Sequence, residues 1–344
     1  TMARLFARLM PVYEPGSRSR PVQSVARRAE KLVAWGAYPL RKMLRRFPGP
    51  VVFVGHGSGE FDYNAARITG PGATHYAAVA EASVPPLVAA GIEPDRVTVL
   101  HNGIDPARCK QTISRAEVRR RLGVAEDEFL VGYIGRMVAE KNPRGVAEAV
   151  ALLPARYREV FVGDGWDMAR QRDGVRAVLG DRALFVDRVE NVGDYYRAID
   201  CFALASPREG FSMGMLEAMY CGTPCVLTNV GVLPELERAH GRHWESIVPG
   251  TSRTSADMAA AIRRIAVLAS SKLSARVDHC RAIVQTRYLA HHMAARWVEY
   301  LRGLPRQPVQ PEAPARLGEA SRIDRRARRR SGNKVPTPSS GVPR

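Results

Sequence analysis

The sequence predicts an α/β protein in which parallel strands are joined by helices and spread over about two domains. Three observations predict it. Short apolar runs recur along the chain, at 51–54, 97–100, 130–134, 160–162, 184–186, 201–205 and 225–228. Such runs, without polar alternation, read as strands buried on both faces. Between them lie segments with helical spacing, so strand and helix alternate, as in a parallel sheet with right-handed crossovers. The third observation is length: 344 residues fit about two domains with sizeable cores.

Composition narrows the class. The chain is 45% hydrophobic, as expected of a soluble globular protein, and no run of about 18 apolar residues exists to span a membrane. The net charge of +18 is concentrated at the ends. Residues 1–50 carry +9 and residues 302–344 carry +8, leaving about +1 for the body between. The run Arg325-Arg326-Ala327-Arg328-Arg329-Arg330, followed by Ser, Gly, Pro and Thr, predicts a disordered basic tail over 303–344. Such ends could touch an anionic membrane. They carry no motif for specific nucleic-acid recognition. The five cysteines, Cys109, Cys201, Cys221, Cys225 and Cys280, have neither metal-ligand nor disulfide spacing, and read as buried thiols in a reducing cytoplasm. The expected location is cytoplasmic, with peripheral contact at the inner membrane face through the basic ends.

Residues 1–20 are basic and irregular. From Ser24 to Phe47 the apolar positions Val25, Leu32, Val33, Leu40 and Leu44 predict a cationic amphipathic helix, bent at Pro39. Residues 51–54 form a buried strand that runs into Gly55-His56-Gly57-Ser58-Gly59, which would hold His56 at the sheet's C-terminal edge. A short strand from Tyr76 ends in a turn by Ser83, and the strand at 97–100 meets His101-Asn102-Gly103-Ile104-Asp105-Pro106. Asn-Gly and Asp-Pro mark a tight turn, and the domain junction is placed there.

The alternation then restarts. The strand at 130–134 ends in Gly135-Arg136, and Asn142, Pro143 and Gly145 open a helix over 146–153. Arg136 and Lys141 thus share one turn beside a helix start, where two cations would face a diphosphate. Residues 160–162 lead into Gly163-Asp164-Gly165, 184–186 into the loop around Val189, and a short helix over 194–199 feeds the strand at 201–205. Two last helices are expected over 255–269 and 274–301, before Pro305 and the prolines that follow it.

The stretch from Ser206 to Pro224 carries the densest chemistry. Pro207 and Gly210 break the strand before it, Ser212 is placed to cap a helix over 212–220, and Gly222 and Pro224 end that helix. A helix N-terminus at the C-terminal edge of a parallel sheet favours an anion. Glu209 and Glu217 stand beside it, and carboxylates next to a phosphate site suit hydroxyls. That combination fits a sugar nucleotide. The plainer reading is a capped helix with two solvated glutamates.

Four motifs in register, Asn102-Gly103-Ile104-Asp105, Gly135-Arg136-x4-Lys141, Gly163-Asp164-Gly165 and Glu209-Gly210-Phe211-x5-Glu217, resemble those of retaining glycosyltransferase family 4 (glycosyltransferase group 1, GT-B fold). The resemblance covers roughly residues 75–300. It implies two facing Rossmann-like domains with parallel sheets: a shortened acceptor-side domain at 1–105 and a nucleotide-sugar domain at 106–285. It also implies a helix at 286–302 that crosses back to the first domain. By the same resemblance, Arg136 and Lys141 hold the donor diphosphate and stabilise the leaving charge. Glu209 binds the donor sugar, and Glu217 binds the ribose. Gly135, Gly210, Phe211, Ser212, Met213 and Gly214 line the donor site with backbone, Val189 faces the base, and His56 matches a site histidine. The implied reaction moves a glycosyl group from a nucleotide-sugar donor to an acceptor hydroxyl, on a sugar or lipid-linked sugar, with retention, no metal and no cofactor. It would serve polysaccharide, lipid-linked sugar or glycoconjugate synthesis. The alternative is a sugar-nucleotide-binding protein whose acceptor domain is incomplete, because only 101 residues precede the Asn-Gly turn. Gly231-Val232-Leu233-Pro234-Glu235 replaces the family's commoner Gly-Gly-x-x-Glu.

Overall fold

The computed structural model describes residues 30–35, 47, 49–56 and 73–305. They build two parallel sheets. The smaller has the order β1 (Leu32–Trp35), β2 (Val51–Gly55), β3 (His75–Ala78), β4 (Val97–Val99). Helix α1 (Val84–Ala89) begins with two prolines in its first turn, where their missing N–H groups cost nothing, and buries Leu87 against this sheet.

The helix expected over 24–47 falls largely outside the described residues. Where it is described, at Leu32–Trp35, the chain is a strand instead, paired in register with Val51–Val54. An apolar run as short as Leu32-Val33-Ala34-Trp35 satisfies helical and strand spacing equally, and the parallel partner decides.

After the linker, α2 (Arg115–Leu122) precedes the larger sheet. Its strands are β5 (Phe129–Ile134), β6 (Tyr157–Val162), β7 (Ala183–Val186), β8 (Cys201–Leu204), β9 (Cys225–Thr228) and β10 (Glu245–Ile247). Helices α3 (Pro143–Ala151), α4 (Met168–Leu179), α5 (Gly193–Ala198), α6 (Met213–Cys221) and α7 (Leu233–His240) cross between them. Helices α8 (Thr254–Val267), α9 (Ser270–Arg287) and α10 (Ala290–Gly303) follow.

The spatial order is β10-β9-β8-β5-β6-β7. From β5 the chain steps outward through β6 and β7, then returns to β8 on the other side of β5. Val131 pairs with Cys201 and Gly132 with Phe202. The loops that follow β5 and β8 therefore diverge from one point at the C-terminal edge, the switch point at which open α/β sheets bind ligands.

The helix expected over 274–301 is two helices. Between them Leu289 is extended, and Ile104 forms a bridge to it. The Ile104 N–H donates to the Tyr288 carbonyl at 2.8 Å, and the Ala290 N–H donates to the Ile104 carbonyl at 2.8 Å. The linker behind β4 thus replaces a turn of helix with a two-bond ladder. Beyond it, α10 reaches the smaller sheet: the Lys31 ammonium donates to the Leu301 carbonyl. Leu304 is buried, and residues 306–344 lie outside the described residues. Among the described residues no helix is long and apolar enough to cross a membrane.

Candidate active site

The turn after β5 is held by its neighbours. The Gly135 N–H donates to Val162 O at 3.0 Å, and the Met137 N–H to Asp164 O at 2.7 Å. Gly163 and Gly165 permit this lacing. A Cβ at Gly163 would stand 2.0 Å from the Gly135 carbonyl oxygen, and one at Gly165 would stand 2.5 Å from that of Met137. Gly163 also adopts φ +144°. The Gly163-Asp164-Gly165 motif is thus the bed on which the Arg136 turn lies.

Asn142 takes the left-handed conformation at the start of α3, and its side-chain oxygen accepts the Gly145 N–H at 3.1 Å. Its amide nitrogen donates to Ala205 O at 3.2 Å. The Ser206 hydroxyl donates to the Lys141 carbonyl at 3.3 Å, and Thr228 Oγ1 donates to Ser206 O at 2.6 Å. These bonds tie the β5 turn to the β8 loop. Lys141 and Glu209, 68 residues apart, meet there as a direct ion pair, with the Glu209 side chain only 3% exposed. The Arg136 side chain is 58% exposed, with its guanidinium 3.8 Å from Glu140. It stands at the surface of the same turn.

Glu217 lies on α6 with its carboxylate buried. Arg108 Nε donates to Oε1 at 3.4 Å, and the Tyr196 hydroxyl donates to Oε2 at 3.3 Å. Burial pushes the Glu217 carboxyl above the ordinary carboxylate range, with Arg108 and Tyr196 opposing it. Phe211 is buried, Gly210 is buried beside it, and Met213 and Gly214 are half-buried at the helix start.

One expectation is corrected here. Ser212 occupies the cap position of α6 but does not cap it. Its backbone is left-handed, φ 74° and ψ 77°, and its buried hydroxyl has no partner. A cap needs an extended backbone to aim its oxygen at the helix N–H groups, and this geometry forfeits that. The first-turn amides of α6 are left for another acceptor.

Val189 is half-buried in the loop after β7, packed against the core. Arg188 in that loop lies 3.7 Å from Asp164. His56 is exposed at the C-terminal end of β2, in the other sheet. The structure therefore brings Gly135, Arg136, Lys141, Glu209 and the start of α6 together, places Glu217 one turn deeper, and leaves His56 on the smaller sheet. Among the described residues no three His, Cys, Asp or Glu side chains gather as metal ligands.

Two residues were not singled out for the site by the sequence. Glu235 Oε2 lies 2.7 Å from His101 Nε2, and Glu235 Oε1 accepts the Glu81 N–H. The His101 ring packs 5.8 Å from Phe211 and 5.8 Å from Tyr288. His101 follows β4 and Phe211 follows β8, so this aromatic cluster joins the smaller sheet to the Glu209 loop. The altered Gly231–Glu235 motif was the only signal at sequence level.

Residues 128–267 match the family model described as glycosyl transferases group 1. They form a group 1 glycosyltransferase domain. Over 198 residues the chain is 37% identical to a D-inositol 3-phosphate glycosyltransferase of Geodermatophilus obscurus, covering 53% of this chain and 42% of that protein. Over 148 residues it is 33% identical to LpsB of Rhizobium meliloti, a lipopolysaccharide core biosynthesis mannosyltransferase, covering 40% of this chain and 42% of that one. The match thus spans less than half the length of these curated relatives. Among solved structures, HepE of Anabaena in complex with UDP and glucose superposes with a TM-score of 0.71 at 23% identity, over 83% of this chain and 81% of that one. WaaG, a glycosyltransferase involved in lipopolysaccharide biosynthesis, superposes at 0.65 and 17% identity, over 85% of each chain. The transferase domain and the smaller sheet together have the GT-B fold, with two Rossmann-like sheets.

Proposed function

We propose that this chain transfers a glycosyl group from a nucleotide-sugar donor to an acceptor hydroxyl with retention of anomeric configuration. The observation that carries the proposal is the Lys141–Glu209 pair beside the uncapped start of α6, at the switch point of the larger sheet. The free first-turn amides, Lys141 and the exposed Arg136 offer positive potential to a diphosphate. Cations fixed before reaction stabilise the charge that grows on the departing diphosphate, so transfer requires neither a metal nor a cofactor. Glu209 binds sugar hydroxyls, and Glu217 binds the ribose. The leaving phosphate accepts the acceptor's proton on the same face, which makes a protein nucleophile unnecessary. His56 serves the acceptor side. The group 1 relatives and the UDP-bound HepE neighbour support this reading.

The test is to incubate the purified chain with UDP-, GDP- and ADP-sugars and candidate hydroxyl acceptors, and to follow products by NMR. Product with the donor's anomeric configuration, formed equally with and without EDTA, supports the proposal. Inverted product, or turnover abolished by EDTA and restored by a divalent ion, contradicts it. Selective nucleotide binding without turnover on any acceptor would favour a binding protein instead.

A further inference from the structure

Trp166 is 77% exposed, whereas Trp244 and Trp297 are each 2% exposed. Among the described residues it is the only aromatic side chain left this open. Val267 is as exposed, at 78%, but among the described residues Trp166 alone offers a flat aromatic face to solvent. The backbone that carries it is not loose. Gly163 and Gly165 press against the Gly135 and Met137 carbonyls, and Asp164 O accepts the Met137 N–H at 2.7 Å. On the other side, the Gly163 N–H donates to Val186 O at 3.0 Å, and Arg188 lies 3.7 Å from Asp164. Trp166 therefore follows a turn clamped between the Arg136 turn after β5 and the Val189 loop after β7.

The sheet order places the pieces in line: Glu209 after β8, Arg136 and Lys141 after β5, Trp166 after β6, Val189 after β7. Successive strands lie about 4.8 Å apart, so Trp166 sits on the order of 10 Å along the edge from the β8 loop. On the donor-site reading, a donor with its sugar at Glu209 and its diphosphate at Arg136 and Lys141 reaches the Val189 loop with its base by passing the turn that carries Trp166. Resting on the donor-site reading above, we propose that Trp166 is a stacking platform for the nucleobase of the bound nucleotide. An indole presents a flat apolar face that any base can cover, and the ring of a heteroaromatic base fits it better than a sugar does. Trp166 would then supply base affinity, while the backbone of the Val189 loop reads the base edge.

The experiment is calorimetric and fluorescence titration of the full chain and of Trp166→Ala and Trp166→Phe. The probes are UDP, GDP, ADP and inorganic pyrophosphate, which has no base. Stacking of a base on an aromatic side chain predicts a loss of about 5- to 150-fold for the preferred nucleoside diphosphate in Trp166→Ala. Pyrophosphate affinity should be unchanged, Trp166→Phe should keep most of the affinity, and nucleotide should quench wild-type indole emission. Wild-type binding with unchanged affinity in Trp166→Ala overturns the platform and leaves the donor site standing. An equal loss for pyrophosphate overturns it too, since the ring would then act on the phosphate turn. Failure of the wild-type chain to bind any of the three nucleotides overturns both the platform and the donor-site reading.

Discussion

Glu235 and His101 meet across the two sheets, Oε2 to Nε2 at 2.7 Å, while the other oxygen of Glu235 takes the Glu81 N–H. One carboxylate thus holds two points of the smaller sheet's loops against α7. Replacing it with alanine leaves a backbone N–H and an imidazole without their acceptor. Glu81 is exposed and the His101 side chain is 26% exposed, so water replaces part of the loss and the cost is about 1 kcal/mol, the low end for an unsatisfied donor. Glu235→Ala should lower unfolding free energy in urea by that amount, and Glu235→Gln by less, because its amide oxygen can still accept one of the two bonds. Equal stability of Glu235→Ala and wild type would show that the contact contributes nothing.

The Lys141–Glu209 pair predicts a different pattern. Lys141→Ala leaves Glu209, 3% exposed, without its cation. Breaking a buried pair from one side costs about 3–5 kcal/mol, less here because Lys141 is 24% exposed. Turnover should fall further, by about 10²–10³-fold, if Lys141 also stabilises the leaving group. Steady-state kinetics at a temperature where the variant is folded separates the two effects.

Glu159 sets a pH dependence. It is wholly buried in β6 with neither carboxylate oxygen partnered, and burial pushes its pKa well above 4.5. The folded state keeps the proton while the unfolded state releases it. Below about pH 4.5 both states are protonated and the group is neutral in effect. Above that, the unfolded state binds fewer protons, so stability falls by about 1.4 kcal/mol per pH unit until the folded pKa is reached. Glu159→Gln should therefore gain on wild type as pH rises from 4.5 to 7. A constant difference across that range would mean that the carboxyl is ionised in the fold.

All five cysteines are free and buried. The Cys109–Cys221 hydrogen bond pushes Cys109 up, helped by burial, and pulls Cys221 down, while burial raises Cys201, Cys225 and Cys280, so Cys221 is kept from reagent by packing alone. A thiol-reactive chromogen should label none of them in native protein at neutral pH and all five in denaturant. Rapid labelling of the native chain would contradict the packing around α6 and α9.

Much of this was legible in the sequence for a physical reason. The strands of the larger sheet are buried on both faces, so they stand out as apolar runs, and glycines mark where backbones touch. The resemblance assigned Lys141 to the diphosphate and Glu209 to the donor sugar, and only the order β8-β5 showed that the two side chains pair. What escaped was decided by partners distant in sequence. Leu32–Trp35 became a strand because β2 lies beside it. The break at Leu289 has no glycine or proline at the break to announce it; the Ile104 ladder imposes it. Ser212 looked like a cap because its residue type is right, and residue type says nothing of the left-handed backbone it adopts. Trp166 carries no spacing signal at all.

The most direct test of the central claim is titration of the chain and of Glu217→Ala with UDP, GDP and ADP by calorimetry. The account predicts that one nucleoside diphosphate binds selectively and that Glu217→Ala weakens it by removing the ribose contact. Absence of binding to all three, or binding that Glu217→Ala leaves unchanged, would contradict the assignment of this site.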